Sequence, residues 1–386
     1  VPFIFRPSLP DVSISFKALT NFRSLIPNKQ TFFLGRIDIA DCFNNIDHKL
    51  LLKAFKKAVS KAEQFSSVSF SRDHVISELS YFLNNYIIQF AGRCYQQTRG
   101  IPQGSCISTD LSNLFLAFVD RSSSLKDYFW DAEKRISSDA NVPKAAILRF
   151  HDDYLLLATT KRQLLDIKDG LINNLSNFGL KSNVSKENVV TASVGLESVE
   201  WLGLEITPQL DLLIPQVNIS ERMLERFSGY PLPWKDSLFR IKSSLQTSLF
   251  IKLVVNQPDF TLNSLLAEEN ARRIGSQFGH ILLNYIWSCP ERQKFLTSFK
   301  HCRHLAKIVL CRLAMIFKDV SLLSLARDHL IQMLQRRRNT FNTLLRCIYK
   351  PWLVLSVISK NNSCMEILSQ FSNFLRTHNQ ISSEDE

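Results

Sequence analysis

Short runs of hydrophobic residues fill the first half of the chain, and acidic or polar residues break them. One run predicts a buried strand that ends at Asp38, followed by a helix through Leu50–Val59. Two more runs within 145–159 flank the tripeptide His151–Asp153, a pattern typical of a β-hairpin with acids at its turn. Strands of this kind would carry carboxylates at their ends.

The segment 99–120 combines a polar loop with a helical pattern. Proline and glycine occur in the loop, and the apolar residues that follow recur at helical spacing. The spacing predicts a helix that Ser108 or Thr109 caps. A helix at about 161–178 and one short strand at about 199–206 are expected next.

From Ser220 onward, the hydrophobic residues follow a helical period with short breaks. We therefore predict an α+β domain at 1–219 and an all-α domain at 220–386. The clearest predicted helices are Gln277–Trp287, Lys300–Phe317, Leu322–Arg338 and Phe341–Ile358.

The charge of the chain is concentrated in one region. Hydrophobic residues make up 45% and charged residues 21%, which is enough apolar surface for globular cores. The net charge of the chain is +12. The segment 291–350 contains 13 basic and 3 acidic residues, so most of this charge lies there. This concentration favours a surface that follows phosphates, although a solvated helical face with a basic bias would give the same count.

The cysteine pattern and the first residues of the chain indicate which cellular compartment to expect. The eight cysteines form no C-x-x-C pair, so we expect reduced, buried thiols in a cytoplasmic protein. No run of about 18 apolar residues and no signal peptide is evident, so no membrane partner is expected. The first residue is Val1 rather than methionine, which indicates either a fragment or an unusual start codon.

The acids at the predicted hairpin are the strongest chemical signal. Adjacent carboxylates repel each other and apolar neighbours disfavour their charge, so a cation is needed to neutralise them. Two Mg²⁺ ions about 3.5–4 Å apart would do so and would clamp the attacking and leaving oxygens of phosphoryl transfer. Asp38, at the end of a buried strand, would supply a third carboxylate beside Asp152 and Asp153.

Five motifs, in the order found here, resemble the A to E motifs of bacterial reverse transcriptases. They are Asp38–Phe43 with Ile46–His48, Gly100–Gly104 with Ser108, Leu111 and Asn113, Phe150–Asp153, Gly179–Leu180 with Lys186, and Trp201–Gly203. The segment Phe3–Leu19 also resembles the one that precedes motif A in group II intron-like enzymes. The resemblance covers 3–206 and implies a polymerase palm with an antiparallel sheet and partial fingers, followed by an α-helical thumb and extension.

The resemblance implies a catalytic set. Two Mg²⁺ ions would be held by Asp38, Asp152 and Asp153, together with Ile39, which can offer only its backbone oxygen. Lys186 would protonate the departing pyrophosphate as a general acid, unless it is an ordinary lysine beside a helix.

The resemblance also implies contacts with the substrate. Phe43 would lie under the incoming sugar and exclude a 2′-hydroxyl, with a plain core aromatic as the alternative. Gln103, Gly104 and Arg99 would contact the nucleotide, although Arg99 could equally be a surface residue. The primer end would be gripped by Trp201, Leu202 and Gly203.

Several other positions have two possible interpretations. His151 stands in the variable position of the acidic box, where a packing role and a pH-dependent role are both open. The pair His301 and His304 has no carboxylate partner on its helix, so we interpret it as solvated rather than as a zinc site. One basic cluster consists of Arg336, Arg337 and Arg338. It could bind RNA, or its cations could simply be stabilised by the dipole at the C-terminus of a helix.

The long helical extension resembles the antiviral, abortive-infection class of these enzymes. The expected partners are an RNA template, including a dedicated non-coding RNA, the DNA product and dNTPs, with a homo-oligomer or a second protein left open. The rival hypotheses are a retron or group II intron enzyme, an RNA-templated RNA polymerase, and a non-catalytic RNA-binding scaffold. Phe43 argues against the RNA polymerase, and three clustered acids argue against the scaffold, which has no physical need for them.

Overall fold

The chain divides into two compact units, Val1–Asp211 and Leu212–Glu386. The sequence pattern placed the change of architecture at 219/220. The computed structural model describes residues 12–26, 30–65, 71–130, 144–190, 197–216, 241, 254, 265–287, 289, 291–317, 319–336 and 338–349.

The first unit is a mixed α+β structure. Its helices are α1 (Val12–Ser24), α2 (Cys42–Asn45), α3 (His48–Phe65), α4 (Arg72–Asn84), α5 (Ser108–Ser122) and α6 (Lys161–Asn177), with 3₁₀ turns at Lys126–Tyr128 and Val184–Lys186. Its strands are β1 (Phe33–Ala40), β2 (Ile87–Phe90), β3 (Arg93–Gln96), β4 (Ala145–Phe150), β5 (Asp153–Ala158), β6 (Lys181–Ser182), β7 (Asn188–Val190), β8 (Val199–Trp201) and β9 (Leu204–Ile206).

The central sheet has the strand order β4-β5-β1-β6, and β7 also pairs with β1. Its strand pairs are antiparallel, as predicted. The prediction that β1 ends at Asp38 was wrong, because Ile39 and Ala40 continue the strand by pairing with β6. Asp38 therefore lies inside the sheet rather than after it.

The two faces of β1 have different roles because successive side chains alternate across a strand. Ile37 and Ile39 face the hydrophobic core, which also receives side chains from α3, α5 and α6. A Cβ added at Gly35, on the same face, would lie in ordinary contact with Leu164 of α6 at 3.4 Å. The opposite face carries Arg36 and Asp38.

Two local predictions were wrong. The residue before α5 is Ile107, which has no side-chain cap, and Ser108 is already the first helical residue. The single strand expected at about 199–206 is a hairpin of β8 and β9, because the chain reverses at Leu202 and Gly203 with φ of +52° and +84°. Positive φ at both central residues is the requirement of a type I′ hairpin turn.

A second hairpin, formed by β2 and β3, was not expected from the sequence. All eight of its strand residues are exposed, including Phe90 at 71% and Tyr95 at 49%. An isolated two-stranded hairpin is marginally stable in water. Its apolar side chains are therefore available for contact with another molecule.

The second unit is helical wherever the structure describes it at length. It begins with β10 (Leu212–Leu213) and continues with α7 (Leu265–Trp287), α8 (Arg292–Thr297), α9 (Phe299–Ile316), α10 (Val320–Gln335) and α11 (Arg338–Tyr349). The four predicted helices are confirmed in type, α7 starts earlier than expected, and 350–358 lie outside the described residues.

The helices α7 and α10 pack in close contact. A side chain at Gly275 would lie 2.0 Å from the carbonyl oxygen of Ala326, and one at Gly279 would lie 2.6 Å from the Cβ of Met333. Only glycine permits this approach.

The expectation of buried thiols holds only in part. Cys42, Cys289, Cys302 and Cys347 are buried, but Cys94 and Cys106 are exposed, and all seven described cysteines are free thiols. The described helices include none that is both long and apolar enough to cross a membrane.

Candidate active site

The predicted acidic hairpin is confirmed. Strands β4 and β5 pair from Ala145↔Ala158 to Phe150↔Asp153, so His151 and Asp152 form the turn. Asp38 lies directly opposite Asp153 in the register of β1 and β5. The backbone N–H of Ile39 donates to the carbonyl oxygen of Asp152 at 3.2 Å. Asp38 and Asp153 therefore face each other across two paired strands, with Asp152 in the adjoining turn.

The turn is held in a conformation that its residues do not favour. His151 has φ of +53°, which costs about 1–2 kcal/mol in a residue with a Cβ atom. Its carbonyl oxygen accepts a 2.8 Å hydrogen bond from Nη1 of Arg149, and its Nδ1 lies 3.0 Å from the side-chain nitrogen of Asn113. Burial lowers the pKa of His151. These contacts fix the position of Asp152.

A buried network of hydrogen bonds connects the acidic hairpin to helix α5. Nε of Arg149 donates to Asp120 at 2.7 Å, and the hydroxyl of Tyr154 donates to the other carboxylate oxygen at 3.0 Å. Burial raises the pKa of Asp120, whereas Arg149 and the Tyr154 hydrogen bond favour its charged form. The network joins α5 to both strands of the acidic hairpin.

Asp153 is already paired with a cation. Nε and Nη2 of Arg36 each donate to one oxygen of Asp153 at 2.8 Å, which is the bidentate geometry of strong arginine–carboxylate pairs. Burial raises the pKa of Asp153, and the charges of Asp38 and Asp152 act in the same direction, whereas Arg36 opposes them. The charges of Asp38 and Asp152 thus disfavour the ionised form of Asp153.

The donor chemistry of the site fits Mg²⁺. Asp38 is 8% exposed, and carboxylate oxygens are the ligands that hard cations prefer. Within the described ranges, no group of three or more His, Cys, Asp or Glu side chains gathers as a metal site. The carboxylate of Asp153 is paired with Arg36. A carboxylate has about four lone-pair positions, so this ion pair leaves room for a metal ion to bind the same group.

The loop before α5 is fixed against the turn that follows β1. Gly100 donates its N–H to the carbonyl of Ile46 at 2.9 Å, and Ile101 donates to that of Phe43 at 2.9 Å. Gly100 has φ of +77°, and a Cβ there would lie 2.7 Å from the Phe43 carbonyl oxygen. The glycine is therefore required both by its backbone conformation and by the close approach of α2.

The residues predicted to contact the nucleotide differ in their exposure. Phe43 is half-buried against the core, and Gln103 and Gly104 are exposed. Arg99 donates from Nη2 to the carbonyls of Asn45 at 3.2 Å and of Gly179 at 3.4 Å. Arg99 thus bridges two loops, and its role toward phosphate stays a prediction.

The segment after α6 reaches Asp38 through Asn183. The Asn183 N–H donates to the Asp38 carbonyl at 2.7 Å, and its side-chain nitrogen lies 3.3 Å from a carboxylate oxygen of Asp38. Lys186 lies in the following 3₁₀ turn, but its side chain is outside the described residues. Glu187, which follows Lys186, pairs with Lys168 at 2.7 Å and accepts a 2.7 Å hydrogen bond from Ser182.

The predicted primer-grip residues and the predicted RNA-binding arginines differ in how far their side chains are exposed. Trp201 is fully buried against Phe16, with ring centroids 5.8 Å apart, so only the turn at Leu202 and Gly203 can meet a primer. Arg336 is exposed at the end of α10, whereas Arg337 and the side chain of Arg338 lie outside the described residues. His301, from the weak zinc pattern, stacks on Phe295.

Sequence reasoning missed three supporting residues. Arg36 carried a detectable signal, because strand alternation puts it on the same face as Asp38. Asn183 and Arg149 carried none, since a single amide in a polar segment or a single arginine in an apolar one does not reveal its partner.

The matched family model and the named relatives are reverse transcriptases. The family model described as "Reverse transcriptase (RNA-dependent DNA polymerase)" matches residues 5–206. The telomerase reverse transcriptase of Euplotes aediculatus is 29% identical over 242 residues, which is 55% of this chain and 23% of that protein. The mouse telomerase reverse transcriptase is 28% identical over 124 residues, 32% of this chain and 10% of that protein.

A structural relative shares the overall polymerase fold. The telomerase of Candida albicans, solved with a fragment of telomeric RNA, has a TM-score of 0.51 at 15% identity, and the match covers 95% of this chain and 54% of that one. This chain spans about a quarter of the length of the Euplotes relative. The family match covers more than half of the chain and contains every acid of the site, and the chain belongs to the reverse transcriptase family.

Proposed function

We propose that the chain adds deoxynucleotides to a primer end under the direction of an RNA template. The observation that carries this proposal is that Asp38 faces Asp153 across β1 and β5 with Asp152 in the adjoining turn, while the Gly100 loop is fixed against the turn that follows β1. Acids this close together disfavour one another's charge, and a bound cation would relieve that cost.

Each residue has a defined part in this proposal. Asp38 and Asp152 would hold two Mg²⁺ ions with the backbone oxygen of Ile39, and Arg36 would keep Asp153 ionised and oriented. Bound Mg²⁺ supplies charge neutralisation for in-line phosphoryl transfer. Phe43 would bound the sugar position from its half-buried place beside the loop.

The flanking residues would position the other reactants. Gln103, Gly104 and Arg99 would contact the incoming nucleotide, and Lys186 would donate a proton to the departing pyrophosphate. The turn of Leu202 and Gly203, supported by buried Trp201, would meet the primer.

The test is extension of a DNA primer on an RNA template by purified variants. Asp38→Asn and Asp152→Asn should each lower incorporation by at least about 10³-fold, since the loss of one ligand charge disrupts ion binding. Asp41→Asn is the matched control, because Asp41 is exposed, lies three residues from Asp38 and has φ of +47°, which asparagine tolerates. Wild-type incorporation by a folded Asp38→Asn protein would refute the assignment.

We further propose that the template is a dedicated RNA, as in a telomerase-type enzyme. The named relatives are telomerase reverse transcriptases, and one of the matched structures contains telomeric RNA. The antiviral class expected from the long helical extension finds no support among them. RNA that co-purifies with the protein should contain a short segment whose complement recurs as tandem repeats in the DNA product. Products without repeats would favour the antiviral or retron alternatives.

A further inference from the structure

Helix α3 carries a lysine at every fourth position, which we call the lysine ladder: Lys49, Lys53, Lys57 and Lys61. A helix rises about 1.5 Å per residue, so successive rungs are separated by about 6 Å along its axis and the ladder extends over about 18 Å. Lys56 adds a fifth cation, and Glu63 is the only acid in the helix sequence.

The far end of the ladder opens into a basic pocket of about 420 Å³. Lys57 and Lys61 meet two cations from other elements there, Arg121 at the end of α5 and Lys126 in the 3₁₀ turn that follows. Phe118 lies at the pocket wall, with its ring centroid 5.8 Å from Nζ of Lys57. Four cations thus surround one cavity that contains a single carboxylate, Asp127.

This arrangement differs from an ordinary solvated helix face. Lysines on one exposed helix point into water and need no partner. Here cations from three separate elements converge on one concave site, which concentrates positive potential and attracts anions. The geometry therefore favours a ligand with several negative charges.

The spacing favours a nucleic-acid strand among such ligands. A stacked strand carries one phosphate per about 3.4 Å of axis, so rungs about 6 Å apart would meet roughly every second phosphate. A basic track of about 18 Å would span about five nucleotides, within the range of about 4–16 for single-strand sites.

The near end of the ladder lies beside the candidate active site. Nε2 of His48, the first residue of α3, is 2.7 Å from the carbonyl oxygen of Gly100. The ladder therefore begins at the nucleotide loop and leads away from it. Because neither the family motifs nor the acids use these lysines, the track serves a different segment of nucleic acid from the one being copied.

We propose that the lysine ladder and its pocket bind the phosphate backbone of single-stranded RNA outside the templating segment. This inference rests on the proposed function, because it assumes an RNA partner longer than the template.

The experiment measures binding of a fluorescent 30-nucleotide oligouridylate to the full chain at several salt concentrations. Replacing Lys53, Lys57 and Lys61 by Gln removes three contacts, so the slope of log affinity against log salt should become smaller in magnitude by about 2. Near 0.1 M salt each lost contact should lower the affinity by about fivefold, so the loss of three contacts should lower it by about 100-fold. Incorporation on a pre-annealed, saturating primer–template should stay within about twofold.

The control removes three exposed cations from elsewhere in the same unit, by Lys17→Gln, Lys161→Gln and Arg162→Gln. An unchanged slope in the ladder variant with wild-type melting temperature would overturn the proposal, as would an equal loss in the control. Equal competition by polyglutamate of the same charge would assign the track to acidic protein and also overturn it. A chain that binds RNA through the ladder but incorporates no nucleotide would instead contradict only the proposed function.

Discussion

The buried pair of Arg149 and Asp120 should be the main structural support of the acidic hairpin. The two side chains are 3% and 9% exposed and 2.7 Å apart. At that distance and an effective dielectric constant of about 20, their attraction is about 6 kcal/mol. Arg149→Met would leave Asp120 as a buried carboxylate without its cation, and such losses cost about 3–5 kcal/mol. The Nη1 hydrogen bond to His151 would be lost as well.

The penalty should depend on pH. Burial already raises the pKa of Asp120, and the loss of Arg149 removes the charge that opposes this shift. A carboxyl whose pKa is higher in the folded state than in the unfolded state binds a proton on folding, so the fold gains stability as pH falls through the folded pKa. Arg149→Met should therefore be most destabilising at pH 8 and less so at pH 6.

Amide hydrogen exchange in strands β4 and β5 measures this effect, since it reports the free energy of local opening. Asp120→Asn in the Arg149→Met background should restore part of the loss, because it removes the stranded charge. Arg162→Met, on the exposed face of α6, should change the opening free energy by less than about 0.5 kcal/mol. A penalty for Arg149→Met below about 1 kcal/mol, or one that is the same at both pH values, would refute the reasoning.

Three further predictions follow from the site and the second unit. Phe43→Ala should raise ribonucleotide use relative to deoxynucleotide use by about tenfold, equivalent to about 1.4 kcal/mol, in a competition assay, and an unchanged ratio would remove Phe43 from the sugar position. Gly100→Ala should lower the melting temperature by several degrees and abolish incorporation, whereas Gly104→Ala shares the positive φ but meets nothing within 4 Å and should be milder; equal effects would contradict the close-approach argument. Replacing Arg336, Arg337 and Arg338 by Gln should reduce the magnitude of the RNA salt slope by about 2 without altering incorporation, and an unchanged slope would mean a solvated face.

The acids were predictable because the sequence marks where strands end and turn. Two apolar runs around His151–Asp153 can hardly pack except as a hairpin, and alternation then fixes which face each acid takes. The position of Asp153 opposite Asp38 follows from the register, which the apolar pattern of β1 and β5 sets. Local signals were sufficient for the acids of the hairpin turn, whereas the end of β1 was misplaced because its last two residues pair with β6.

The structural features that could not be predicted from the sequence depend on residues far apart in the chain or on strained backbone conformations. Arg36 and Asp153 are 117 residues apart, and no local pattern pairs them. Leu202 turns at φ of +52°, a conformation that its residue type disfavours, so the pattern suggested one continuous strand. The basic pocket needs residues from α3, α5 and a 3₁₀ turn to converge, which only the tertiary structure shows.

The central claim is that this chain copies RNA into DNA at the Asp38 site. The most direct measurement supplies four RNA templates that differ only in the first base beyond the primer and records which dNTP is added. The account predicts that the wild-type protein adds the complementary deoxynucleotide to each template, that Asp41→Asn does the same, and that Asp38→Asn adds none. Addition of one nucleotide regardless of the template, or complementary addition by Asp38→Asn, would contradict it.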